Sequence, residues 1–158
     1  METFLMHPSD ARAWQAMPQL VKRMCEFSVD EHGELEPELV RSYMAQFITE
    51  IVHPEQVDSR VWVKVEDDGR VTGHVMTVVC NRNGHLFGSV SQYSSDKSCP
   101  WPREAAQEVW EEMQSWVRSK GGRQMRIRAR TPVHARAYRM LYGLTETPEI
   151  LMKKELLP

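Results

Sequence analysis

The chain has 158 residues, of which 41% are hydrophobic, and its formal net charge is −2 at pH 7. This length provides one core of ordinary size, so we predict a single domain over residues 1–158. The mean hydropathy of −0.52 and the lack of an apolar run of about 20 residues argue against a membrane protein. The three cysteines are widely spaced, and the first residues lack the pattern of a secretory signal. We therefore expect a cytoplasmic protein without a disulfide framework.

The charges are distributed unevenly along the chain. Residues 26–58 contain nine acidic side chains and one basic side chain, whereas residues 118–139 contain eight basic side chains and no acidic one. Such polarity favours the attraction of an anionic ligand at one end of the molecule. The alternative is that the two regions face each other or solvent.

The first third of the chain is predicted to be mainly helical. Residues 3–6 fit a short strand, and Asp10 is a suitable N-cap for the helix that follows. Pro18 lies inside this helical pattern and indicates a kink or a later start. The acidic residues 30–36 indicate a loop, and Pro37 opens a second helix. The apolar stripe of the first helix is formed by Trp14, Met17, Val21 and Met24.

The middle of the chain has the period of a β-structure. Val61, Val63 and Val65 alternate with polar or aromatic residues, which is typical of a strand. Asp68-Gly69 and then Asn83-Gly84 are turn signals, and they bound the predicted strands 71–80 and 85–93. We therefore predict an antiparallel meander of three strands.

The last third alternates between helices and strands. After a polar loop at residues 94–101, Pro102 fits the first turn of a helix that ends at Gly121-Gly122. A strand over residues 125–130, a helix over 133–142 and a strand over 149–156 complete the chain. The order predicts an α+β class, with one helix connecting two strands that lie parallel. The long helix has one apolar face, formed by Ala106, Val109, Trp110, Met113, Trp116 and Val117.

This order of elements resembles the fold of the GNAT acyltransferases, and the end of the chain carries the best local match. The segment HARAYRMLYGL at positions 134–144 is similar to the family's fourth helix and its closing Gly-Phe, with Leu144 in place of the aromatic residue. The segment ILMKKEL at positions 150–156 resembles the family's last strand. The chain also resembles compact GNAT-like proteins of tailed phages. The resemblance implies a mostly antiparallel central sheet with helices on both faces, and acetyl-CoA-dependent N-acyl transfer to an amine.

The resemblance also implies where acetyl-CoA binds. In the family, the strand that ends here at Tyr93 splays from its neighbour, its backbone pairs with the pantetheine arm, and the next loop and helix start hold the pyrophosphate. The family loop reads Gln/Arg-x-x-Gly-x-Gly/Ala. Here Gln92 takes the first position, Ser95 and Lys97 stand where glycines are usual, and residues 92–104 include no glycine. The implied cofactor-binding residues are Val90, Ser91, Gln92, Tyr93, Ser95, Lys97, Arg103 and Glu104.

Catalysis in the family often uses a tyrosine of the fourth helix as the acid that protonates the departing thiolate. Alignment on Gly143 puts Arg139 at that position, between Tyr138 and Tyr142, and we expect Tyr138 to be the acid. The alternative is that both tyrosines are ordinary packing residues. His74 is a candidate base, with His85 and Glu66 as further candidates, because histidine titrates near neutral pH. The alternative is that a water relay replaces a side-chain base, and that the six histidines are solvated or satisfied by hydrogen bonds.

Other chemistries have weaker support. Cys99 has no adjacent histidine and carboxylate, so a free thiol is favoured over a nucleophile, and the sequence has no metal-binding motif. A rival hypothesis is a GNAT-like scaffold without catalysis that binds a protein or a nucleic acid, and a third is acyl or carbamoyl transfer to a nucleobase. On a strand, Arg126, Arg128 and Arg130 share one face. With Arg136, they are candidates to bind a nucleic acid or an acidic partner, unless carboxylates of residues 26–58 neutralise them.

Overall fold

The computed structural model of this protein describes residues 1–32 and 37–146. The chain divides into two compact units, Met1–Arg128 and Ala129–Pro158. The first unit contains, in chain order, β1 (Glu2–Leu5), α1 (Ala11–His32), α2 (Pro37–Val52), β2 (Ser59–Val65), β3 (Val71–Arg82), β4 (His85–Ser95), α3 (Arg103–Ser119) and β5 (Met125–Ile127). The second unit contains α4 (Pro132–Tyr142). That the whole chain acts as one domain stays a prediction.

The five strands form one sheet in the order β1-β2-β3-β4-β5. Strands β1 to β4 pair antiparallel, and β5 pairs parallel to β4 after the connection through α3. This confirms the predicted α+β class, the predicted meander and the parallel pair. Asn83 and Gly84 have φ angles of 54° and 83°. Both positive values are what a tight two-residue hairpin turn requires, which explains why this dipeptide predicted the turn correctly.

Helices cover both faces of the sheet, so its central strands are buried on two sides. Val61 and Val63 of β2 lie in a hydrophobic core with residues of α1 and α2. Trp62 points to the opposite face, where its Nε1 donates a hydrogen bond of 2.7 Å to Glu112 of α3. Gly88 of β4 permits the close packing of α3, because a Cβ atom there would lie 2.5 Å from a methyl group of Val117. The result is three layers, with α1 and α2 on one side and α3 on the other.

The start of α1 is as predicted, but its buried face is not. Asp10 caps the helix, since its Oδ1 accepts a hydrogen bond of 2.9 Å from the backbone N–H of Arg12. Pro18 lies within the continuous helix. The placement of Trp14 on the apolar face was wrong, because Trp14 is 50% exposed and its Nε1 bonds the carbonyl of Pro8. The buried face of α1 is formed by Ala13, Ala16, Leu20, Val21, Met24 and Cys25.

Three element boundaries differ from the prediction or cannot be compared with it. Helix α1 continues to His32, so the loop predicted for residues 30–36 begins too early, and residues 33–36 lie outside the described residues. The final strand predicted for residues 149–156 also lies outside them. Strand β5 has three residues instead of six, and it ends at Ile127. Arg128 and Arg130 therefore lie beyond the strand, and the predicted strand face of three arginines was wrong.

Candidate functional site

The sheet opens between β4 and β5, and a bulge in β4 marks the point. The two strands pair at Gly88, Ser89 and Val90, and the pairing ends there. Ser91 comes next and is the extra residue of a bulge, because Thr77 pairs with Val90 and Met76 with Gln92. A bulge bends its strand, so the rest of β4 turns away from β5. From Gln92 to Ser95, β4 is paired with β3 on one side and, within the described part of the chain, with no strand on the other.

Gln92 and His74 form a buried network on the α1 face of the sheet. The Nε2 of His74 lies 2.8 Å from the Oε1 of Gln92, whose Nε2 donates to the Oγ of Ser28 (3.2 Å) and the carbonyl of Met24 (3.4 Å). His74 is fully buried, and this burial lowers its pKa from 6.5 to about 4. The imidazole is therefore neutral at pH 7. The network leaves the Gln92 side chain pointing into the protein, so at the open edge Gln92 offers its backbone.

Tyr93 and Trp101 cover the other face of the sheet. Tyr93 is 38% exposed, and its ring stacks on Trp101 with 6.4 Å between centroids. The Nε1 of Trp101 donates a hydrogen bond of 3.1 Å to the carbonyl of Ser94, which fixes the ring over Gly73 of β3. A Cβ atom on Gly73 would lie 2.6 Å from that Nε1. The absence of a side chain at Gly73 thus sets the position of the loop that carries Trp101.

We expect Gly73→Ala to displace Trp101 and to lower the free energy of unfolding by about 1–3 kcal/mol, the usual cost of overpacking. Urea unfolding followed by tryptophan fluorescence measures this. The double variant Gly73→Ala/Trp101→Ala tests the cause, because the added methyl group then meets no ring. If Gly73→Ala costs as much with Trp101 removed as with it present, the contact with Trp101 is not the reason.

The loop 96–102 contains a tight turn that two cationic side chains hold in place. The backbone N–H of Cys99 donates to the carbonyl of Asp96 (3.1 Å), with Lys97 and Ser98 exposed at the tip. Arg23 of α1 bonds the Asp96 carboxylate (2.9 Å). Lys64 of β2, whose side chain is 2% exposed, donates from its Nζ to the Cys99 carbonyl (2.8 Å). Side chains therefore fix this loop, where glycines shape the backbone in the family motif.

Glu66 completes the contacts of the buried Lys64. Its Oε1 accepts hydrogen bonds from the Lys64 Nζ (2.6 Å) and from the Thr72 hydroxyl (2.7 Å). The bond from Lys64, followed by the one from Thr72, lowers the pKa of Glu66 below its usual range. A carboxylate stabilised in this way is a weaker base. His85, the third candidate base, is exposed at the opposite end of β4.

The start of α3 follows the loop directly. Pro102 is the N-cap residue and no side chain caps the first turn, so the first helical bond among these residues runs from the Ala106 N–H to the Pro102 carbonyl (2.9 Å). Helix N-termini carry unsatisfied N–H groups and a positive partial charge, which favour an anion. Arg103 and Glu104 are exposed here. The structure thus brings the predicted residues Tyr93, Ser95, Lys97 and Arg103 into one continuous run, although Ser95 is still a strand residue paired with Gly73.

Both tyrosines proposed for catalysis lie on α4 in the second unit. Tyr138 stacks on His134 with 6.2 Å between centroids, and it lies 6.3 Å from Tyr142. Partial burial raises the pKa of Tyr138 and of Tyr142, so both phenols are protonated at neutral pH. The helix begins after Thr131, whose Oγ1 accepts from the His134 N–H, and ends at Gly143 in the left-handed conformation. These ends agree with the predicted helix to within one residue.

The remaining predicted residues lie elsewhere. Arg128, Arg130 and Arg136 are not buried, and Arg126 stacks on the ring of Phe87, 4.0 Å from its centroid. All three cysteines are free thiols. Over residues 1–32 and 37–146, no group of three or more histidine, cysteine or acidic side chains is arranged to hold a metal ion. No helix in those ranges is both long and apolar enough to cross a membrane.

Comparisons with known proteins reveal relatives of this fold. The sequence matches no protein-family model and no curated protein. It is similar in structure to a predicted acetyltransferase with acetyl-CoA from Clostridium acetobutylicum (TM-score 0.66, 11% identity, 97% of this chain and 95% of that chain). It is also similar to glucosamine-6-phosphate N-acetyltransferase from Arabidopsis thaliana (TM-score 0.63, 12% identity, 98% of this chain and 99% of that chain). A third similar structure is an aminoglycoside 6′-N-acetyltransferase from Acinetobacter baumannii (TM-score 0.63, 12% identity, 99% of this chain and 100% of that chain). The chain therefore has the GNAT acetyltransferase fold.

Proposed function

We propose that this protein is an acetyl-CoA-dependent N-acyltransferase that acts on an amine. The observation that carries the proposal is the open edge of β4 beyond Val90, which leads through the turn at Lys97 to the uncapped start of α3. An open strand edge offers backbone groups to the amides of a pantetheine arm, and a helix N-terminus offers N–H groups to phosphates. The shared fold, which one neighbour presents together with acetyl-CoA, supports the same conclusion.

The described residues fit this cofactor in charge and exposure. Lys97, at the tip of the loop, and Arg103, directly after it, are exposed cations. They supply charge that the glycine-free backbone does not. Val90 and Gln92 are buried, so their contribution is limited to backbone groups, whereas Tyr93 presents an exposed ring. Bound acetyl-CoA supplies an activated acetyl thioester. In this proposal Ser91 and Ser95 line the edge, and Glu104 lies beside the phosphates at the helix start.

The reaction needs one proton delivered and one removed. The amine nitrogen attacks the thioester carbonyl carbon and displaces the thiolate. Tyr138 donates its phenolic proton to that thiolate, and water takes the proton that the amine loses. A raised pKa keeps Tyr138 in the protonated form that this role requires. The buried His74, with its pKa of about 4, is better suited to orient Gln92 than to accept a proton from an acceptor. Tyr142 is the second candidate for the acid.

The proposed acceptor is a small-molecule or protein amine. Two similar structures are enzymes of amino sugars, glucosamine-6-phosphate and the aminoglycosides. The partly exposed Trp101 and Tyr93 give the open edge an aromatic surface, against which an acceptor can pack. The free thiols fit a reducing compartment, and we include a cytoplasmic location in the proposal.

We expect isothermal titration of the protein with acetyl-CoA to give a saturable heat signal, and Arg103→Glu to weaken the affinity by roughly tenfold at low salt. Arg118→Glu is the matched control, since Arg118 is an exposed arginine in the last turn of the same helix. Equal weakening by the two variants would show a general effect of charge. Neither heat nor a thermal shift at millimolar acetyl-CoA would overturn the enzyme proposal.

The second candidate function is a scaffold that has the fold without catalysis and binds a protein or a nucleic acid. The loop 96–102 favours it, because Arg23 binds its Asp96 carboxylate, Lys64 binds its Cys99 carbonyl and its own Trp101 bonds the strand carbonyl of Ser94. The loop sequence also has no glycine. A loop fixed in this way does not adapt to a pyrophosphate as a glycine-rich loop does. The titration separates the two candidates, since a scaffold gives no heat with acetyl-CoA.

A further inference from the structure

We propose a second anion-binding site, for ligands that carry several phosphate groups, at the end of the sheet opposite the proposed acyltransferase site. A cleft of about 710 Å³ lies there between the β3–β4 turn and the segment that joins α3 to β5. Its volume is in the range of pockets that bind a whole small ligand. Its charged side chains are Arg82, Arg123 and Arg126.

The charged side chains that the structure describes in this cleft are all positive. Among the described residues, its lining includes three arginines and no carboxylate, and the remainder is polar or apolar. Arg82 and Arg123 are exposed and have no carboxylate partner in the part of the chain that the structure describes. Like charges that share a concave surface raise the local potential and attract an anion. Arginine presents a planar fork that matches the oxygens of a phosphate group.

Contacts with Phe87 and Gln124 help to hold Arg126 in the cleft. Its guanidinium stacks on the ring of Phe87, 4.0 Å from the centroid, and donates to the Oε1 of Gln124 at 3.3 Å. Both partners also line the cleft. A guanidinium with a fixed plane loses less rotational freedom when it binds an anion, so the cost of binding is lower. Arg126 thus supplies a positioned donor in the same cleft as the exposed cations of Arg82 and Arg123.

Distance separates this site from the proposed acetyl-CoA site. The cleft includes His85 at the first residue of β4, and the loop proposed for the pyrophosphate follows Ser95 at the last. At about 3.3 Å per residue, the strand spans roughly 33 Å between these ends. One coenzyme A phosphate group therefore does not serve both places. The shared chemistry of the proposed ligand is a chain of phosphates, as a free polyphosphate or nucleotide offers, or as a nucleic-acid backbone offers.

The test uses inorganic triphosphate and the full chain, in a buffer without phosphate or sulfate at low ionic strength. Calorimetry should give binding of one triphosphate, and Arg82→Gln/Arg123→Gln should lower that affinity by roughly tenfold for each arginine. Arg118→Gln, which removes one arginine charge outside the cleft, should leave the affinity unchanged instead of lowering it roughly tenfold. No binding by the wild-type protein, or an equal loss in Arg118→Gln, would overturn the site. The circular dichroism spectrum checks that each variant is folded.

Two further binding measurements identify the class of ligand and distinguish this site from the proposed acetyl-CoA site. Saturating acetyl-CoA should leave triphosphate affinity unchanged, and Arg82→Gln/Arg123→Gln should leave acetyl-CoA affinity unchanged. Competition for triphosphate by acetyl-CoA would show that the sites are one and would overturn this inference. A short oligothymidylate that displaces triphosphate, with an affinity that falls steeply as salt rises, identifies a nucleic-acid backbone as the source. Failure to displace it identifies a free polyphosphate or nucleotide.

Discussion

Tyr138→Phe is expected to lower kcat by about 10²–10⁴-fold, the usual loss when a general acid is removed, with little change in the affinity for acetyl-CoA. The substitution removes the phenolic proton and keeps the ring that stacks on His134 and lies beside Tyr142. Burial raises the pKa of Tyr138 above its usual value, so the phenol stays protonated through neutral pH. In the proposed reaction we therefore also expect kcat of the wild-type protein to show no loss from this group until the pH exceeds the usual phenol pKa of about 10.

Tyr142→Phe is the matched control for that experiment. Tyr142 lies on the same helix, its pKa is also raised by burial, and it loses the same hydroxyl in the variant. Steady-state rates with acetyl-CoA and an amine acceptor compare the two variants, and calorimetry checks cofactor affinity. Full activity of Tyr138→Phe would end the assignment. A large loss in Tyr142→Phe alone would transfer the role to Tyr142.

Much of the fold could be predicted because local signals and the global structure agree. Asn83-Gly84 has the two positive φ angles of a hairpin turn, and Pro37 begins α2 where the sequence places it. The apolar stripe of α3, with Val109 and Met113 at its centre, is buried as its period predicts. Each of these signals depends on a few neighbouring residues, and no distant contact changes its meaning. The order of the described elements, from β1 to α4, could therefore be predicted from the sequence.

The site was harder to predict because its key contacts are distant in sequence. Lys64 alternates with valines and has the pattern of a solvated strand residue, yet α3 and the loop 96–102 cover its face. Arg23 is an ordinary polar position on α1 until the fold brings it to Asp96, 73 residues away. No local sequence signal indicates that either side chain bonds the loop 96–102. A single weak clue was available, namely that a loop without glycine needs side chains to fix its conformation.

The predictions that failed had a common cause. Trp14 has the correct spacing for the buried face of α1, but it is exposed. In that position its Nε1 donates a hydrogen bond to the Pro8 carbonyl. The alternation of Arg126, Arg128 and Arg130 predicted a longer strand, but β5 pairs with β4 only as far as Val90. Beyond the bulge at Ser91, where β4 turns away, no described strand pairs with the chain after Ile127 on that side. The period of a sequence predicts the buried face of a helix or strand only when other elements pack along the whole of that face.

His74 predicts a large dependence of stability on pH. In the folded protein its pKa is lowered from 6.5 to about 4, mainly because the charged imidazole is costly in a buried site, and the cation of Arg23 acts in the same direction. Between these pH values the unfolded chain binds a proton at this residue and the folded chain does not. The free energy of unfolding therefore falls as the pH is lowered, and the stability is fully present above about pH 7.

We expect the wild-type protein to lose about 3 kcal/mol of unfolding free energy through His74 between pH 7.5 and pH 4, at 1.36 kcal/mol per pKa unit. Urea unfolding at pH 7.5, 6 and 5 measures the greater part of this fall. His74→Gln keeps a polar partner for Gln92 and removes the titrating group, so its stability should change much less over the same interval, whatever its value at pH 7.5. His53→Gln is the control, because His53 is exposed and the substitution leaves the buried imidazole in place. If His74→Gln and the wild-type protein lose the same free energy on acidification, another group causes the acid sensitivity, and the buried imidazole is not the one that resists protonation.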